Sequence, residues 1–246
     1  MNANTPPLQA LIFDVDGTLA DTERDGHRCA FNLAFAEHGL DWFWDELTYG
    51  DLLAVTGGKE RLHYYAKRYE PQIAARPDFA ELVKALHATK TAHYVRLARS
   101  SRIPLRPGVA RLIFEARRQG IRLAIATTTT PDNIFPLLRS TLSADAPEWF
   151  EVIGAGDIVP AKKPAPDIYE WVLDRLGLPA EACLAIEDSE NGLRAARGAG
   201  LRCLVTVNDY TRGQDFEGAW RVVDDLGRVS LRELVEQEMV SYPLFE

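Results

Sequence analysis

The first apolar stretch, Gln9 to Val15, is short and stops at Gly17-Thr18. A brief apolar run bounded by turn residues predicts a fully buried strand. From about Ala20 to Ile103 the period becomes helical and no buried-strand pattern appears. Glu23 to His38 carries Ala30, Leu33, Ala34 and Phe35 on one face and stops at Gly39. Asp78 to Ser100 repeats the pattern with Leu82, Ala85, Leu86 and Thr89. Between them, the polar stretch Thr56-Gly57-Gly58-Lys59-Glu60-Arg61 reads as a turn leading into a further helix.

Beyond Ile103 the pattern alternates. Pro107 to Gln119 reads as an amphipathic helix with Val109, Leu112, Ile113 and Ala116 on one face, ended by Gly120. A strand follows at 122–128, a helix at 133–140 and a strand at 151–155. A helix at 166–176 then stops at Gly177, before a strand at 183–187. A helix at 191–199, a strand at 202–207 and a short apolar run at 221–223 complete the series. Short β-branched runs alternating with helices predict parallel strands joined by right-handed crossovers. The fold class is therefore α/β, a Rossmann-like parallel sheet. Residues 1–19 and 105–246 form the core domain, and residues 20–104 form an inserted helical domain.

Composition adds mainly exclusions. The 246 residues are 46% hydrophobic and 26% charged, the ordinary balance of a folded globular protein. Net charge is −8, from 36 acidic and 28 basic residues, and the basic ones are scattered. Nucleic acid is thus not an expected partner. No apolar run approaches the roughly 18 residues that span a bilayer, so no membrane partner is expected. The N-terminus lacks the basic and apolar regions of a secretory signal. Cys29, Cys183 and Cys203 form no CxxC pair, which favours free thiols and a reducing, cytoplasmic compartment. The five histidines show no HxxxH pair and read as surface or packing residues.

In sheets of this kind ligands bind beyond the carboxyl ends of the strands. The first strand leads into Asp14-Val15-Asp16-Gly17-Thr18, and the fourth ends on Glu187-Asp188. As parallel neighbours they bring four carboxylates together, which repel one another unless a hard cation such as Mg2+ joins them. The second strand ends on Thr127-Thr128-Thr129-Thr130. That run fits a phosphate cradle of hydroxyls and backbone N–H groups, or a simple helix cap. Lys163, held by Pro164 before a helix, fits a bridge between phosphate and carboxylate, or a solvated loop lysine.

Together these segments resemble the haloacid dehalogenase superfamily. Phe13-Asp14-Val15-Asp16-Gly17-Thr18-Leu19 resembles its first motif. Thr127, Lys163-Pro164-Ala165-Pro166 and Glu187-Asp188-Ser189 resemble the second, third and fourth, in the same order. The helical insertion resembles the type 1 cap. Ala20-Asp21-Thr22-Glu23, His27-Arg28, Thr56 to Arg61 and Ala126 to Pro131 are similar to the CbbY subfamily. That subfamily is associated with the Calvin cycle and dephosphorylates xylulose-1,5-bisphosphate; its relatives include β-phosphoglucomutase and phosphoglycolate phosphatase. β-Phosphoglucomutase carries a histidine four residues after its equivalent of Thr22; here Gly26 takes that place and His27 the next.

The resemblance implies an Mg2+-dependent phosphatase acting on a small phosphorylated metabolite. Asp14 is then the nucleophile and Asp16 the general acid and base. Thr127 and Lys163 hold the phosphoryl oxygens, with Thr128 beside them. Mg2+ is held by Asp14, the Asp16 carbonyl and Asp188, with Glu187 in or behind that set. The cap is expected to close over the site. Asp21, Glu23, Gly57, Gly58, Lys59 and Arg61 are expected to meet the substrate, Lys59 and Arg61 taking a second phosphate; His27 and Arg28, near the hinge with Glu23, are further candidates. A phosphosugar mutase would use the same residues, and a non-enzymatic sugar-phosphate binder is expected to lack one of Asp14, Asp16 and Lys163. A monomer or weak homo-oligomer is expected.

Overall fold

A computed structural model describes residues 8–55, 57–100 and 102–236; Thr56 and the N-terminal segment read above lie outside the described residues. Six parallel strands form one sheet: β1 (Ala10–Phe13), β2 (Arg122–Ala126), β3 (Val152–Gly154), β4 (Cys183–Glu187), β5 (Arg202–Thr206) and β6 (Arg221–Val223). Their order is β3-β2-β1-β4-β5-β6, with β1 and β4 adjacent where the winding reverses. This is the α/β Rossmann-like sheet that the alternating pattern predicts. β1 is fully buried at all four positions because it pairs on both sides and is covered on both faces. It ends at Phe13, two residues earlier than the apolar run suggests, where the chain turns away toward Gly17.

The chain divides into two compact units. Among the described residues the first comprises Leu8–Ala20, Leu105–Pro131 and Leu142–Glu236. Its helices are α6 (Val109–Arg118), α8 (Asp167–Leu176), α9 (Glu190–Gly198) and α10 (Leu231–Glu236). One apolar cluster joins Ile12, Ala124 and Ala185 of the sheet to Tyr169 and Val172 of α8 and Leu193 of α9.

The second unit comprises Asp21–Pro104 and Asp132–Thr141. It holds α1 (Cys29–Glu37), α2 (Glu46–Leu52), α3 (Gly58–Tyr69), α4 (Pro71–Ala74), α5 (Phe79–Arg99) and most of α7 (Pro131–Thr141). α7 falls outside the 20–104 insertion read from the sequence, yet it is tied to this unit: Ser140 Oγ donates to the Ala98 carbonyl at 2.5 Å. Phe31, Phe35, Trp44 and Tyr49 form its aromatic core, with Trp44 packed on Phe31 at 4.7 Å and on Phe35 at 4.8 Å. α2 was not evident in the sequence because seven residues with Gly50 in them give no periodic face; Asp45 starts it by accepting from Thr48 N at 2.7 Å. Among the described residues no helix is long and apolar enough to cross a membrane, and Cys29, Cys183 and Cys203 are free thiols.

Candidate active site

Strand register builds the site. Phe13 of β1 is level with Ile125 of β2 and Ile186 of β4. One residue further on, Asp14 therefore stands beside Ala126 and Glu187, and its N–H donates to the Ile186 carbonyl at 3.0 Å. Asp14, Glu187 and Asp188 are all buried, and each offers an oxygen within 4.8 Å of the others. Lys163 enters this group from the loop before α8. Its Nζ lies 2.7 Å from Asp14 Oδ1, 2.5 Å from Glu187 Oε1 and 2.9 Å from the Ala126 carbonyl. Of the two readings open for Lys163, the solvated loop lysine does not hold: its side chain is 8% exposed and joins two carboxylates, Asp14 and Glu187.

Three carboxylates face one ammonium, so the cluster is short of positive charge. Burial pushes the Glu187 carboxyl up to about 7, against the pull of Lys163 and with a further push from Asp14. Asp188 is driven well above the ordinary carboxylate range by burial first and then by Asp14 and Glu187. For Lys163 burial opposes the charge, but the two carboxylates outweigh it and hold the ammonium above the usual lysine value. An oxygen-only donor set with surplus negative charge fits a hard divalent cation such as Mg2+.

The remaining predicted residues fall in different places. Asp16 is half-buried on the turn after β1, outside the group of three carboxylates. Thr127 is buried and its hydroxyl accepts from Thr129 N at 3.3 Å, the contact expected of the cap reading; Thr128 is exposed. Gly17 takes φ +81, and a Cβ there would overlap the Asp188 carboxylate.

Two further side chains shape the cluster. Tyr169 OH donates to Glu187 Oε1 at 2.5 Å, and Asn208 Nδ2 donates to Asp188 Oδ2 at 2.7 Å. Tyr169 reads in the sequence as one more apolar position of α8. Asn208 does carry a signal, since Asn208-Asp209 follows the apolar run of β5 and Val207 much as Glu187-Asp188 closes that of β4.

In the second unit, Thr22–Arg28 is a π-helix. Its bonds run from i to i+5, so His27 stands one full turn after Thr22, where an α-helix would place residue 26. His27 is buried, stacks on Tyr94 at 4.1 Å and meets Lys90 Nζ at 2.9 Å. Arg61, expected to meet a second phosphate, is instead turned inward. Its Nη1 donates to Tyr49 OH at 2.7 Å and its Nε to the Leu52 carbonyl at 3.1 Å, while Tyr49 OH donates to Glu23 Oε2 at 2.5 Å. A guanidinium with a planar fork of donors satisfies several acceptors at once, which suits it to this buried place. Lys59 is exposed and Gly58 half-buried. Gly57 takes φ +97, with the Glu60 carboxylate folded over the space a Cβ would fill. Asp21 is half-buried beside Arg24, 3.3 Å away, and Arg28 pairs with Glu46 at 3.2 Å.

Comparison with known proteins then decides the family. A family model described as haloacid dehalogenase-like hydrolase matches residues 8–200. The chain belongs to the haloacid dehalogenase-like hydrolases. Within them it is similar to CbbY. The plasmid-encoded CbbY of Cupriavidus necator is 54% identical over 220 residues, covering 89% of this chain and 86% of the relative. CbbY of Rhodobacter capsulatus is 52% identical, covering 88% and 93%. The crystal structure of CbbY from Rhodobacter sphaeroides in complex with phosphate matches at TM-score 0.78 and 48% identity, over 91% of this chain and 96% of that one. A mutant of that protein in complex with xylulose-1,5-bisphosphate matches with the same score, identity and coverage. This haloacid dehalogenase-like hydrolase is accordingly a CbbY-like phosphatase. Hydrolases of the family generally use a divalent metal, in keeping with the Asp14, Glu187 and Asp188 oxygens.

Proposed function

We propose that the enzyme hydrolyses a sugar bisphosphate, with xylulose-1,5-bisphosphate as its substrate, by way of an aspartyl-phosphate on Asp14 and with Mg2+ bound. The observation that carries this reading is Asp14 itself: a buried carboxylate one residue beyond a central strand, 2.7 Å from the Lys163 ammonium and clustered with Glu187 and Asp188. The substrate is supported by the 48% identical CbbY that was crystallised with xylulose-1,5-bisphosphate.

Mg2+ would be held by Asp14, Asp188 and the Asp16 carbonyl, with Glu187 in or behind that set, and would supply positive charge for the phosphoryl oxygens. The chain does the rest. A carboxylate oxygen of Asp14 attacks phosphorus in line, the bond to the sugar oxygen breaks, and Asp16 gives that oxygen its proton. Water then attacks the phosphorus, Asp16 takes a proton from it, and inorganic phosphate leaves with the Asp14 carboxylate restored. Thr127 and Lys163 bind the phosphoryl oxygens, and positioning with charge stabilisation accounts for most of the rate. The test is phosphate release over a panel of phosphorylated metabolites with Mg2+ and with chelator; equal turnover in chelator would sink the reading.

Asp16→Asn keeps size and backbone but loses the proton shuttle. We expect kcat to fall by roughly 10²–10⁴-fold with an unchanged melting temperature. A wild-type rate would assign the proton transfer to another group.

The second phosphate falls to exposed Lys59, supported by backbone at Gly57 and Gly58, with Asp21, Glu23 and Thr128 meeting the sugar or its phosphate. Lys59→Ala should cut kcat/KM about tenfold on the bisphosphate and little on a small phosphate ester, one charge-assisted contact being worth roughly 1.5–3 kcal/mol. Arg61→Ala should instead reduce activity on both substrates alike and lower the melting temperature, since it empties the buried Tyr49–Glu23 network. A selective loss in Arg61→Ala would return that residue to direct phosphate contact.

A phosphosugar mutase is the second reading, favoured by one observation: the π-helix puts His27 one turn after Thr22, which cancels the one-residue difference in spacing from β-phosphoglucomutase. Conversion of a phosphosugar to its isomer without net phosphate release would establish it.

A further inference from the structure

We propose that Arg106 is a positioning residue of the active site, bracing the two surfaces that hold the Asp188 carboxylate, with Asn208 as the side chain through which the brace acts. The inference rests on the metal reading above and adds residues to it.

Arg106 is 8% exposed, and a guanidinium withdrawn from water is costly unless its donors are met. They are met almost entirely by backbone from separate segments. Nη1 donates to the Gly17 carbonyl at 2.5 Å, the Thr206 carbonyl at 2.8 Å and Thr206 Oγ1 at 2.9 Å. Nη2 donates to the Val207 carbonyl at 2.6 Å and the Asp224 carbonyl at 2.8 Å. One planar group thus joins the turn after β1, the end of β5 and the loop after β6.

Two of these carbonyls border Asp188. Gly17 lies so close to Asp188 Oδ2 that a Cβ there would overlap it. Asn208 follows Val207 directly, and its Nδ2 donates to the same Oδ2 at 2.7 Å. The amide cannot turn over, because its Oδ1 accepts from Tyr210 N at 2.9 Å. Both neighbours of Asp188 Oδ2 therefore hang from one guanidinium. Partners of this kind, which orient a metal ligand without touching the metal, typically change metal affinity by roughly 10–100-fold when lost.

Arg111 is the internal comparison. It too donates to loop carbonyls, Leu226 at 2.7 Å and Val229 at 2.6 Å, but none of its contacts leads to Asp188. The experiment is calorimetric titration of the full chain with Mg2+ alone, without substrate, beside melting temperature and the kcat and KM of phosphate release. Arg106→Lys and Asn208→Ala should each raise the Mg2+ Kd about tenfold and lower kcat more than they alter KM. Arg111→Lys should lower the melting temperature and leave the Mg2+ Kd within twofold. An Mg2+ Kd in Asn208→Ala within twofold of wild type would overturn the proposal, as would a change in Arg106→Lys no larger than in Arg111→Lys. If Arg106→Lys does not fold, Asn208→Ala decides alone. Absence of Mg2+ binding by the unaltered chain would overturn the metal reading and the brace with it; binding that the variants leave unchanged overturns only the brace.

Discussion

Asp14→Asn is expected to lose at least about 10⁴-fold in kcat/KM, the scale on which enzymes respond to removal of a nucleophile. An amide oxygen is a poor nucleophile at phosphorus, and a neutral side chain forms no acyl phosphate. The fold should survive. Lys163 keeps Glu187 Oε1 at 2.5 Å when the charge at Asp14 is gone. Removing one of three buried carboxylates also relieves Glu187 and Asp188, both of which Asp14 now pushes upward. The melting temperature in chelator should therefore hold steady or rise. Phosphate release and acid-stable labelling by a ³²P substrate check the chemistry, and turnover retained in this variant would remove Asp14 from the centre of the reaction.

Lys163→Met is expected to fail in both activity and stability. Methionine keeps the length of the side chain but leaves Asp14, Glu187 and Asp188 within 4.8 Å of one another without their ammonium. Breaking a buried ion pair by removing one partner costs about 3–5 kcal/mol. The sign of its pH dependence follows from the direction of the carboxyl shifts. Glu187 and Asp188 already have folded-state values above the ordinary carboxylate range, and losing Lys163 raises them further. Stability linked to a raised carboxyl is present at low pH and lost as pH rises through the folded value. In metal-free buffer the deficit should thus be small near pH 5 and large near pH 8. Denaturant melts of wild type and variant at both pH values test this, and a deficit independent of pH would mean that the ammonium acts through packing alone.

The core was readable because burial on both faces leaves a plain mark. β1 and β4 are continuous apolar runs, and the acids that interrupt them, Asp14 and Glu187, declare themselves by position. Lys163 was readable as a residue though not as a buried one, since its contacts at Asp14 and Glu187 lie 149 and 24 residues away in sequence. Tyr169 was hidden for the opposite reason: an aromatic on the inner face of a helix looks like packing until its hydroxyl is seen at Glu187. The second unit was harder. Its polar residues pair with one another across separate helices, as Arg61 does with Tyr49 and Glu23, and nothing local distinguishes a cation turned inward from one facing solvent. The π-helix at Thr22–Arg28 is a backbone choice that hydrophobic periodicity does not report.

The bridge between Ala20 and Leu105 bears on how such an enzyme changes over evolutionary time. These two residues pair as antiparallel neighbours at the point where the chain leaves the first unit and returns to it. Paired strands lie roughly 5 Å apart, so residues 21–104 enter and leave through adjacent positions. An insertion with adjacent ends adds little closure entropy however long it grows, because that cost rises only with the logarithm of length. The inserted segment can then be lengthened, rebuilt or exchanged while Asp14, Glu187 and Asp188 stay at the ends of β1 and β4 and Lys163 on the loop before α8. On the proposed reading, in which the insertion meets the substrate and Asp14 attacks phosphorus, selection on recognition is thereby uncoupled from selection on the chemistry, and a lineage can acquire new metabolites without rediscovering it.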